Sequence, residues 1–249
     1  MRRRRILLYK NGEADRDALG ELGCYECWFA RALPAEVTLE VHRGFERPRR
    51  PLSGYDGLLL SGSPRSLVEP EPWMDEAAEL VREAARSGLA TLGVCFGHQL
   101  IAHAFGGRVR RNPRGWEVGT VSVWLTARGR QDPLFCGLDE GGGMLRVNQS
   151  HRDEVAELGP GMTVLASNEH SAVQAVALGD HVRGVQFHPE MGPGELQRLV
   201  RQRQALLDAE AAQRGQPDRR AEAVLRRTAE TPSGPRLLRN WLDHFARHA

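Results

Sequence analysis

Lysine is almost missing from this 249-residue chain: of its 34 basic residues, Lys10 is the only lysine, and the rest are arginines. A Schiff-base lysine or the phosphate-binding lysine of a Walker loop would therefore have to be Lys10. The residues around Lys10 match neither motif, so both kinds of site are excluded. The formal net charge of +2 is close to neutral and indicates neither a nucleic-acid partner nor a membrane surface.

Long apolar runs are also missing. No segment approaches the ~18 consecutive apolar residues that a membrane-spanning helix requires. The arginine run Arg2–Arg5 precedes only a short apolar stretch, which is typical of the charged flank of a first strand and not of a signal peptide. We therefore expect a cytoplasmic protein with no membrane partner.

Cysteine is scarce, with four in the whole chain. At this chain length, free thiols in a reducing compartment are the simplest interpretation. Cys24 and Cys27 form an isolated C-x-x-C, which suggests a redox pair or half of a metal site. No second ligand pair follows, so we favour two positions near one helical turn and predict no metal.

Short apolar runs alternate with helical patterns, and this order predicts an α/β fold with a mostly parallel central sheet flanked by helices. The predicted strands of that sheet are Ile6–Tyr9, Val37–His42, Tyr55–Ser61, Leu89–Val94 and His181–Phe187. The helices between them include Pro72–Ser87 and Gln99–Phe105. Further runs, separated by glycine, proline and polar clusters, predict a small antiparallel subsheet of Val118–Leu125, Met144–Val147, Thr163–Ser167 and Ala172–Leu178.

The chain contains no internal repeat and no low-complexity linker, so residues 1–194 are predicted to form one domain. Residues 195–249 are predicted to be a helical C-terminal extension packed on that domain. Its last helix is expected to begin at Pro235, and the apolar stripe through Leu238, Trp241 and Leu242 is expected to dock on the core.

The segment that says most about chemistry is Leu92–Gln99, in which a cysteine lies where a buried strand meets a helix. Glycines two positions away on each side of Cys95 are typical of a nucleophile elbow, a tight strand-to-helix turn. Gly93 and Gly97 are expected to leave room where a Cβ atom would clash. The N-terminal end of the helix favours the Cys95 thiolate, and the Phe96 N–H can donate to a developing oxyanion. This motif alone does not exclude a buried structural cysteine.

A second segment, Phe187–Glu190, supplies the partners that a thiol nucleophile needs. His188 can take the Cys95 proton and return it to the leaving group, and Glu190 can hold the other ring nitrogen. A lone His-x-Glu is a weak signal, but together with the elbow it predicts a Cys–His–Glu triad. An α/β-hydrolase shares the elbow but places its acid far from its histidine, so that fold is disfavoured.

The motifs Gly-Val-Cys-Phe-Gly-His-Gln and Phe-His-Pro-Glu together resemble the class I glutamine amidotransferase family. The resemblance extends to Tyr55–Pro64, which matches the strand and loop that supply a second oxyanion-hole amide. It also extends to Ser150–Asp153, which resembles the family's Ser-His-x-Asp substrate loop. It implies a flavodoxin-like fold, and it identifies residues 1–194 as the catalytic domain.

Transferred position by position, the resemblance implies a triad of nucleophile, general base and then acid, and orienting carboxylate: Cys95, His188 and Glu190. It also implies a set of groups that bind the glutamyl substrate: Gly62, Ser63, Phe96, Gln99, Ser150 and His151. Main-chain amides at Gly62–Ser63 and Phe96 would form the oxyanion hole, and Gln99 would hydrogen-bond the substrate. Ser150 and His151 would hold the α-carboxylate or α-amino end, although His151 can also be interpreted as a turn cap. No cofactor is implied.

One departure concerns Ser63, because members of the family often have two glycines where this chain has Gly62–Ser63. If the position requires a positive φ, serine costs ~1–2 kcal/mol there, although its N–H survives. The Gly-Ser-Pro form is more similar to the free-standing γ-glutamyl peptidase-like branch.

The predicted reaction is acyl transfer from a small-molecule substrate through a γ-glutamyl thioester. The leading hypothesis is a glutaminase that releases ammonia and glutamate. The chain lacks the Ser-Gly-Gly-x-Asp-Ser pattern of an ATP-pyrophosphatase, so a synthetase that accepts the ammonia would be a separate subunit. The alternatives are a stand-alone γ-glutamyl peptidase and a non-catalytic regulatory module with the same fold.

Overall fold

The computed structural model describes residues 3–14, 24–215 and 220–246. The strands in these ranges are β1 Arg4–Lys10, β2 Val37–Arg43, β3 Gly57–Leu60, β4 Thr91–Val94, β5 Arg108–Arg111, β6 Glu117–Leu125, β7 Met144–His151, β8 Asp153–Glu157, β9 Met162–Ser167, β10 Ala175–Leu178 and β11 Val182–Val185. The helices are α1 Tyr25–Ala32, α2 Pro72–Arg86, α3 Phe96–Ala104, α4 Ala127–Gln131, α5 Pro193–Gln202, α6 Gln204–Gln213, α7 Arg220–Arg227 and α8 Ser233–His244. None of these helices is both long enough and apolar enough to span a membrane.

The main sheet has nine strands in the order β2-β1-β3-β4-β11-β10-β9-β6-β7. The first five strands in this order are parallel, and the other four continue the sheet with antiparallel pairing. Every residue of β3, β4 and β11 is buried, as expected for parallel strands that are covered on both faces. The predicted α/β fold class is therefore confirmed.

Alternating residues of the central strands contribute to two cores, one on each face of the sheet. Leu7 and Leu58 pack in the core that α2 and α3 cover. Leu8 and Leu59 pack in the opposite core, which α1 and α8 cover. Because successive side chains of a strand point to opposite faces, these apolar strands present a hydrophobic surface on both faces of the sheet, and helices cover each one.

The small antiparallel sheet differs from the prediction in its strands. The four runs assigned to it extend the main sheet at one edge, and β5 and β8 form the separate two-stranded sheet. Most of its facing side chains are charged: Arg108 pairs with Glu157 and Arg110 with Glu154, and Val109 opposite Val155 is the apolar pair. Because cross-strand ion pairs replace an apolar alternation, these segments carry no hydrophobic period that would predict a strand.

The C-terminal helices pack directly on the α/β core. Leu199 of α5 shares a hydrophobic cluster with Trp28 of α1, and Trp241 of α8 is fully buried in the core beside the central strands. Helix α8 begins at Ser233, two residues before Pro235. A proline in the first turn is tolerated because N–H groups there have no intrahelical acceptor. The division of the chain at residue 194 stays a prediction.

Candidate active site

The turn between β4 and α3 holds Cys95 in a strained backbone conformation. Cys95 has φ 54° and ψ −104°, and it is the only non-glycine residue with positive φ in the described part of the chain. Such a conformation costs roughly 1–3 kcal/mol and persists only where its surroundings enforce it. A Cβ atom on Gly93 would lie 2.4 Å from the carbonyl oxygen of Gly97, and one on Gly97 would lie 2.5 Å from that of Leu60. Close packing at the elbow therefore requires both glycines.

The elbow is fixed to the neighbouring strand and presents Cys95 at the N-terminal end of α3. The Cys95 N–H donates to the carbonyl oxygen of Val185 in β11 at 2.9 Å. Phe96 is the first residue of α3, so its N–H has no intrahelical acceptor. This N–H is available to an oxyanion that forms beside the Cys95 sulfur.

The chain that leaves β11 brings His188 and Glu190 beside the elbow. His188 Nδ1 lies 2.7 Å from Glu190 Oε1, and because an ionised carboxylate can only accept, Nδ1 donates. A Cβ atom on Gly62 would lie 3.0 Å from His188 Cε1 and 3.7 Å from Cys95 Cβ, so these residues meet at one point. Burial by itself lowers the pKa of His188, but Glu190 and Cys95 outweigh it and raise the pKa to about 10. The arrangement can therefore stabilise an imidazolium beside Cys95.

The loop that carries His188 is held by β7 and by the C-terminal extension. The His188 N–H donates to the carbonyl oxygen of Asn148 at 2.9 Å, and Asn148 Nδ2 donates to that of Met191 at 2.8 Å. Gly234, near the start of α8, lies against the loop, since a Cβ atom there would be 2.5 Å from the Pro189 oxygen. Sequence reasoning missed Asn148, because a polar residue inside a strand gives no signal of a partner elsewhere in the chain.

Ser63 does not carry the strain that its departure from the family pattern suggested. Its φ is not positive, since Cys95 alone among the described non-glycine residues has that conformation. The Ser63 hydroxyl donates to the carbonyl oxygen of Asn11 at 2.9 Å and accepts from the Arg65 N–H at 3.0 Å. Serine thus stabilises the loop through its side chain, and the penalty considered for this position does not apply.

The side chains of Gln99 and His151, which are predicted to bind the substrate, have protein partners in the structure. Gln99 Nε2 donates to the carbonyl oxygen of Asp153 at 2.9 Å and to Gln186 Oε1 at 3.0 Å. The ring nitrogens of His151 lie 2.9 Å from the Asp153 oxygen and 2.8 Å from Glu117 Oε2, so neither is left for a substrate. Burial by itself raises the pKa of Glu117, but the contact with His151 outweighs it and lowers the pKa. Both ring nitrogens of His151 thus have protein partners, and the role of His151 in substrate binding stays a prediction.

A cavity of about 320 Å³ opens beside the elbow. The predicted residues on its wall are Ser63, Cys95, Phe96, Gln99, Ser150 and His151. The wall also contains Trp116 and Arg203, which sequence reasoning missed. Arg203 Nη1 donates to the Ser150 hydroxyl, and the guanidinium lies 4.8 Å from the centre of the Trp116 ring. No motif or spacing links these two residues, because they are far apart in the sequence.

A second polar cluster lies near the start of α1. In the described ranges, the carboxylates of Glu13 and Glu26 and the sulfur of Cys24 are close enough together to hold a metal ion. Lys10 Nζ lies 2.6 Å from each carboxylate and 3.4 Å from the sulfur. Burial by itself lowers the pKa of Lys10, but its bonds to both carboxylates raise it. We interpret the cluster as an ion-pair network around the ammonium group. The other cysteine of the C-x-x-C, Cys27, is exposed.

Comparison with known protein families decides the assignment. The model of the family "Glutamine amidotransferase class-I" matches residues 27–205, which is more than half of the chain. The chain belongs to the class I glutamine amidotransferase family. The matched range includes the elbow, the loop with His188 and Glu190, and the cavity wall up to Arg203.

Similar proteins in this family differ in their names and in their lengths. Gamma-glutamyl peptidase 3 of Arabidopsis thaliana is 32% identical over 149 residues, which is 60% of each chain. A glutamine-hydrolyzing GMP synthase of Thermus thermophilus is 37% identical over 214 residues, 84% of this chain but only 38% of the synthase. One subunit of the glutamine-hydrolyzing GMP synthase of Saccharolobus solfataricus is 36% identical over 148 residues, 58% of this chain and 72% of that subunit. The chain therefore aligns with only part of the peptidase and of the Thermus synthase.

Solved structures of amidotransferases share the fold. A glutamine amidotransferase from Thermotoga maritima matches with a TM-score of 0.73 at 22% identity and covers 100% of both chains. A glutamine amidotransferase from Methylobacillus flagellatus matches with a TM-score of 0.71 at 24% identity, covering 100% of this chain and 97% of its own. At these identities the likeness concerns the fold alone.

Proposed function

We propose that this amidotransferase is a thiol hydrolase that cleaves the γ-amide of glutamine through a γ-glutamyl thioester. One observation carries the proposal: three groups meet at one point, a cysteine on a strained elbow, a buried histidine beside it, and a carboxylate 2.7 Å from the far ring nitrogen. A thiol nucleophile needs a base, and the base needs an orienting acceptor.

In the first half of the proposed reaction, the Cys95 thiolate attacks the γ-carbonyl carbon and forms a C–S bond. The carbonyl oxygen becomes an oxyanion, which the Phe96 N–H and the main chain of Gly62–Ser63 stabilise. When the tetrahedral intermediate collapses, the C–N bond breaks. The His188 imidazolium gives its proton to the leaving nitrogen, which departs as ammonia.

In the second half, water cleaves the thioester. Neutral His188 takes a proton from the water molecule as the oxygen attacks the same carbon, and the C–S bond then breaks. Glutamate leaves, and the thiolate and imidazolium are restored. Glu190 stabilises the imidazolium and keeps the ring oriented, which is the role its 2.7 Å contact with Nδ1 supports.

A second candidate is a γ-glutamyl peptidase, in which the leaving nitrogen belongs to an amino acid or a peptide. The similarity to gamma-glutamyl peptidase 3 over 60% of each chain favours it. So does a second cavity of about 650 Å³, which shares Pro64 and Arg203 with the first and offers room for a leaving group larger than ammonia. The glutaminase candidate instead implies a separate synthetase partner, as the naming of one relative as a single subunit of GMP synthase suggests.

A substrate panel with purified protein separates the two candidates. Glutamine and γ-glutamyl dipeptides are compared by release of ammonia and of the free amino acid. Faster turnover of the dipeptides favours the peptidase, and turnover of glutamine alone favours the glutaminase. The Cys95→Ser variant should lose both activities, whereas Cys136→Ser, which changes an exposed cysteine outside the site, should retain them. Activity in Cys95→Ser would overturn the mechanism.

Thiol labelling tests the site even if turnover requires a partner. A glutamine-like chloroketone should alkylate Cys95 faster than the exposed thiols Cys27 and Cys136, although Cys95 is buried. Mass spectrometry of peptides after a short exposure gives the order of reaction. If Cys95 reacts no faster than Cys136 and neither substrate turns over, the chain is the non-catalytic module and not an enzyme.

A further inference from the structure

Arg203 is a cation from the C-terminal extension that lines the cavity beside Cys95. It lies between α5 and α6, is partly buried, and donates through Nη1 to the hydroxyl of Ser150. Its guanidinium lies 4.8 Å from the centre of the Trp116 ring. Stacking on an aromatic face fixes the plane of a guanidinium and leaves its edge free to donate.

Arg203 differs from two other arginines on this wall, Arg65 and Arg111, in its charge partners. Arg65 lies 3.2 Å from a carboxylate oxygen of Glu71, and Arg111 lies 2.7 Å from one of Asp153. Within the described residues, no carboxylate lies within 4.0 Å of the Arg203 guanidinium, which contacts the Ser150 hydroxyl and the Trp116 ring. Burial lowers the pKa of Arg203, because the desolvation of the cation outweighs the opposing effects of Tyr25 and Cys95.

We propose that Arg203 binds a carboxylate of the substrate, together with the hydroxyl of Ser150. The Ser150 oxygen accepts from Arg203, so its hydrogen is free to donate to the same carboxylate. Two parallel N–H groups of a guanidinium match the two oxygens of a carboxylate, and a charge-assisted pair of this kind is strong where water is partly excluded. The inference rests on the proposed function, because it presumes that a γ-glutamyl compound occupies this cavity.

Two carboxylates of such a substrate could make this contact. One is the α-carboxylate of the glutamyl group, and the other is the carboxylate of an amino-acid leaving group. Arg203 lies on the walls of both the cavity beside Cys95 and the adjoining cavity of about 650 Å³. Position alone does not separate the two sources, but substrates that lack one carboxylate do.

The test compares Arg203→Met with wild type on matched substrates. Glutamine is paired with 4-aminobutanamide, which lacks the α-carboxylate, and γ-glutamylglycine is paired with γ-glutamylglycinamide, which lacks the leaving-group carboxylate. Loss of a hydrogen bond to a charged group predicts a fall in kcat/KM of roughly 10- to 150-fold on the substrate that keeps the contacted carboxylate. The decrease in kcat/KM should come from a rise in KM more than from a fall in kcat. It should vanish on the partner substrate that lacks that carboxylate.

Two further variants control for charge and for folding. Arg203→Lys keeps the charge but not the planar fork, so it should recover only part of the loss. Arg201→Met removes an exposed arginine two residues away and should leave all rates unchanged. Circular dichroism and thermal melting check that each variant is folded.

The outcomes separate the inference from the proposed function. A loss on glutamine, γ-glutamylglycine and γ-glutamylglycinamide that spares 4-aminobutanamide identifies the α-carboxylate. A loss on γ-glutamylglycine alone identifies the leaving-group carboxylate, and either result supports the inference. Equal losses on all four substrates, or none, overturn it. If wild type turns over none of them, the proposed function fails, and calorimetric binding of glutamate and γ-glutamylglycine to Cys95→Ser, with and without Arg203→Met, then decides the inference. Equal affinity, or no binding, in both backgrounds refutes it.

Discussion

Replacement of Gly93 by alanine should damage both the elbow and the activity. The added Cβ would lie 2.4 Å from the carbonyl oxygen of Gly97, and real Cβ contacts are essentially never shorter than 3.0 Å. The contact must therefore open by about 0.6 Å or more. Neither the Cβ, which is bonded directly to the main chain, nor the main-chain oxygen of Gly97 can rotate away. Helix α3 cannot simply move away, because Gly97 itself is packed on Leu60, whose oxygen would be 2.5 Å from a Cβ on Gly97.

The expected magnitude follows from that displacement. Overpacking of a tight site costs roughly 1–3 kcal/mol of folding free energy. Because Cys95 lies between Gly93 and Gly97, its sulfur moves with the elbow, and a misplacement of about 1 Å can cost roughly 100-fold in rate. We therefore expect Gly93→Ala to lose roughly 10- to 100-fold in kcat/KM and to unfold at lower urea concentration than wild type.

The matched control is Gly192→Ala. There the nearest atom to the added Cβ is Glu195 Oε2 at 3.0 Å, the end of a side chain that can rotate away. Because Gly192 caps α5, alanine should cost no more than about 1 kcal/mol, with kcat/KM close to wild type. Urea unfolding and initial rates, corrected for the folded fraction, are measured for both variants. If Gly93→Ala is as stable and active as Gly192→Ala, the contact with Gly97 does not hold the elbow.

Three further variants test the site. Glu190→Gln removes the charge that helps to raise the pKa of His188 to about 10, so the imidazolium should be lost at lower pH. The pKa that governs the alkaline limb of the plot of kcat/KM against pH should then decrease by roughly 1–3 units. If that pKa does not change, the charge of Glu190 does not raise the pKa of His188. Ser63→Gly removes two hydrogen bonds and relieves no strain, so urea unfolding should show a loss of roughly 0.5–1.5 kcal/mol; a more stable variant would refute it. Gly234→Ala places a Cβ 2.5 Å from the Pro189 oxygen and should lower kcat/KM roughly tenfold in rate assays; wild-type activity would show that α8 does not position that loop.

Local chemistry made the elbow and the loop after β11 predictable. At the elbow, the spacing of Gly93, Cys95 and Gly97 determines the turn by itself, since each clash involves atoms close in the chain or in the adjoining strand. His188 and Glu190 are two residues apart, so their contact also follows from a short segment. The parallel strands were predictable for a related reason, because continuous apolar runs are typical of strands buried on both faces.

Contacts between distant segments could not be predicted in this way. Arg203 meets Trp116 and Ser150 only after the C-terminal helices fold back on the sheet. Glu117 and His151 pair across β6 and β7, whose register depends on the whole sheet. The identity of each of these residues and of its neighbours in the chain is equally consistent with an exposed polar side chain. Such partners are set by tertiary packing, which leaves no period or motif to detect.

On the proposed mechanism, the residues outside the motifs decide more about the substrate than the motifs do. The proposed roles of Cys95, His188 and Glu190 concern the γ-carbonyl and the leaving nitrogen, which glutamine and γ-glutamyl peptides share. These three residues cannot by themselves discriminate ammonia from an amino acid as the leaving group. Discrimination requires groups that contact the rest of the substrate, and Arg203, which lies on the walls of both cavities, is placed to be one of them. Because Arg203 lies between α5 and α6, the proposal assigns these C-terminal helices a role in specificity as well as in packing.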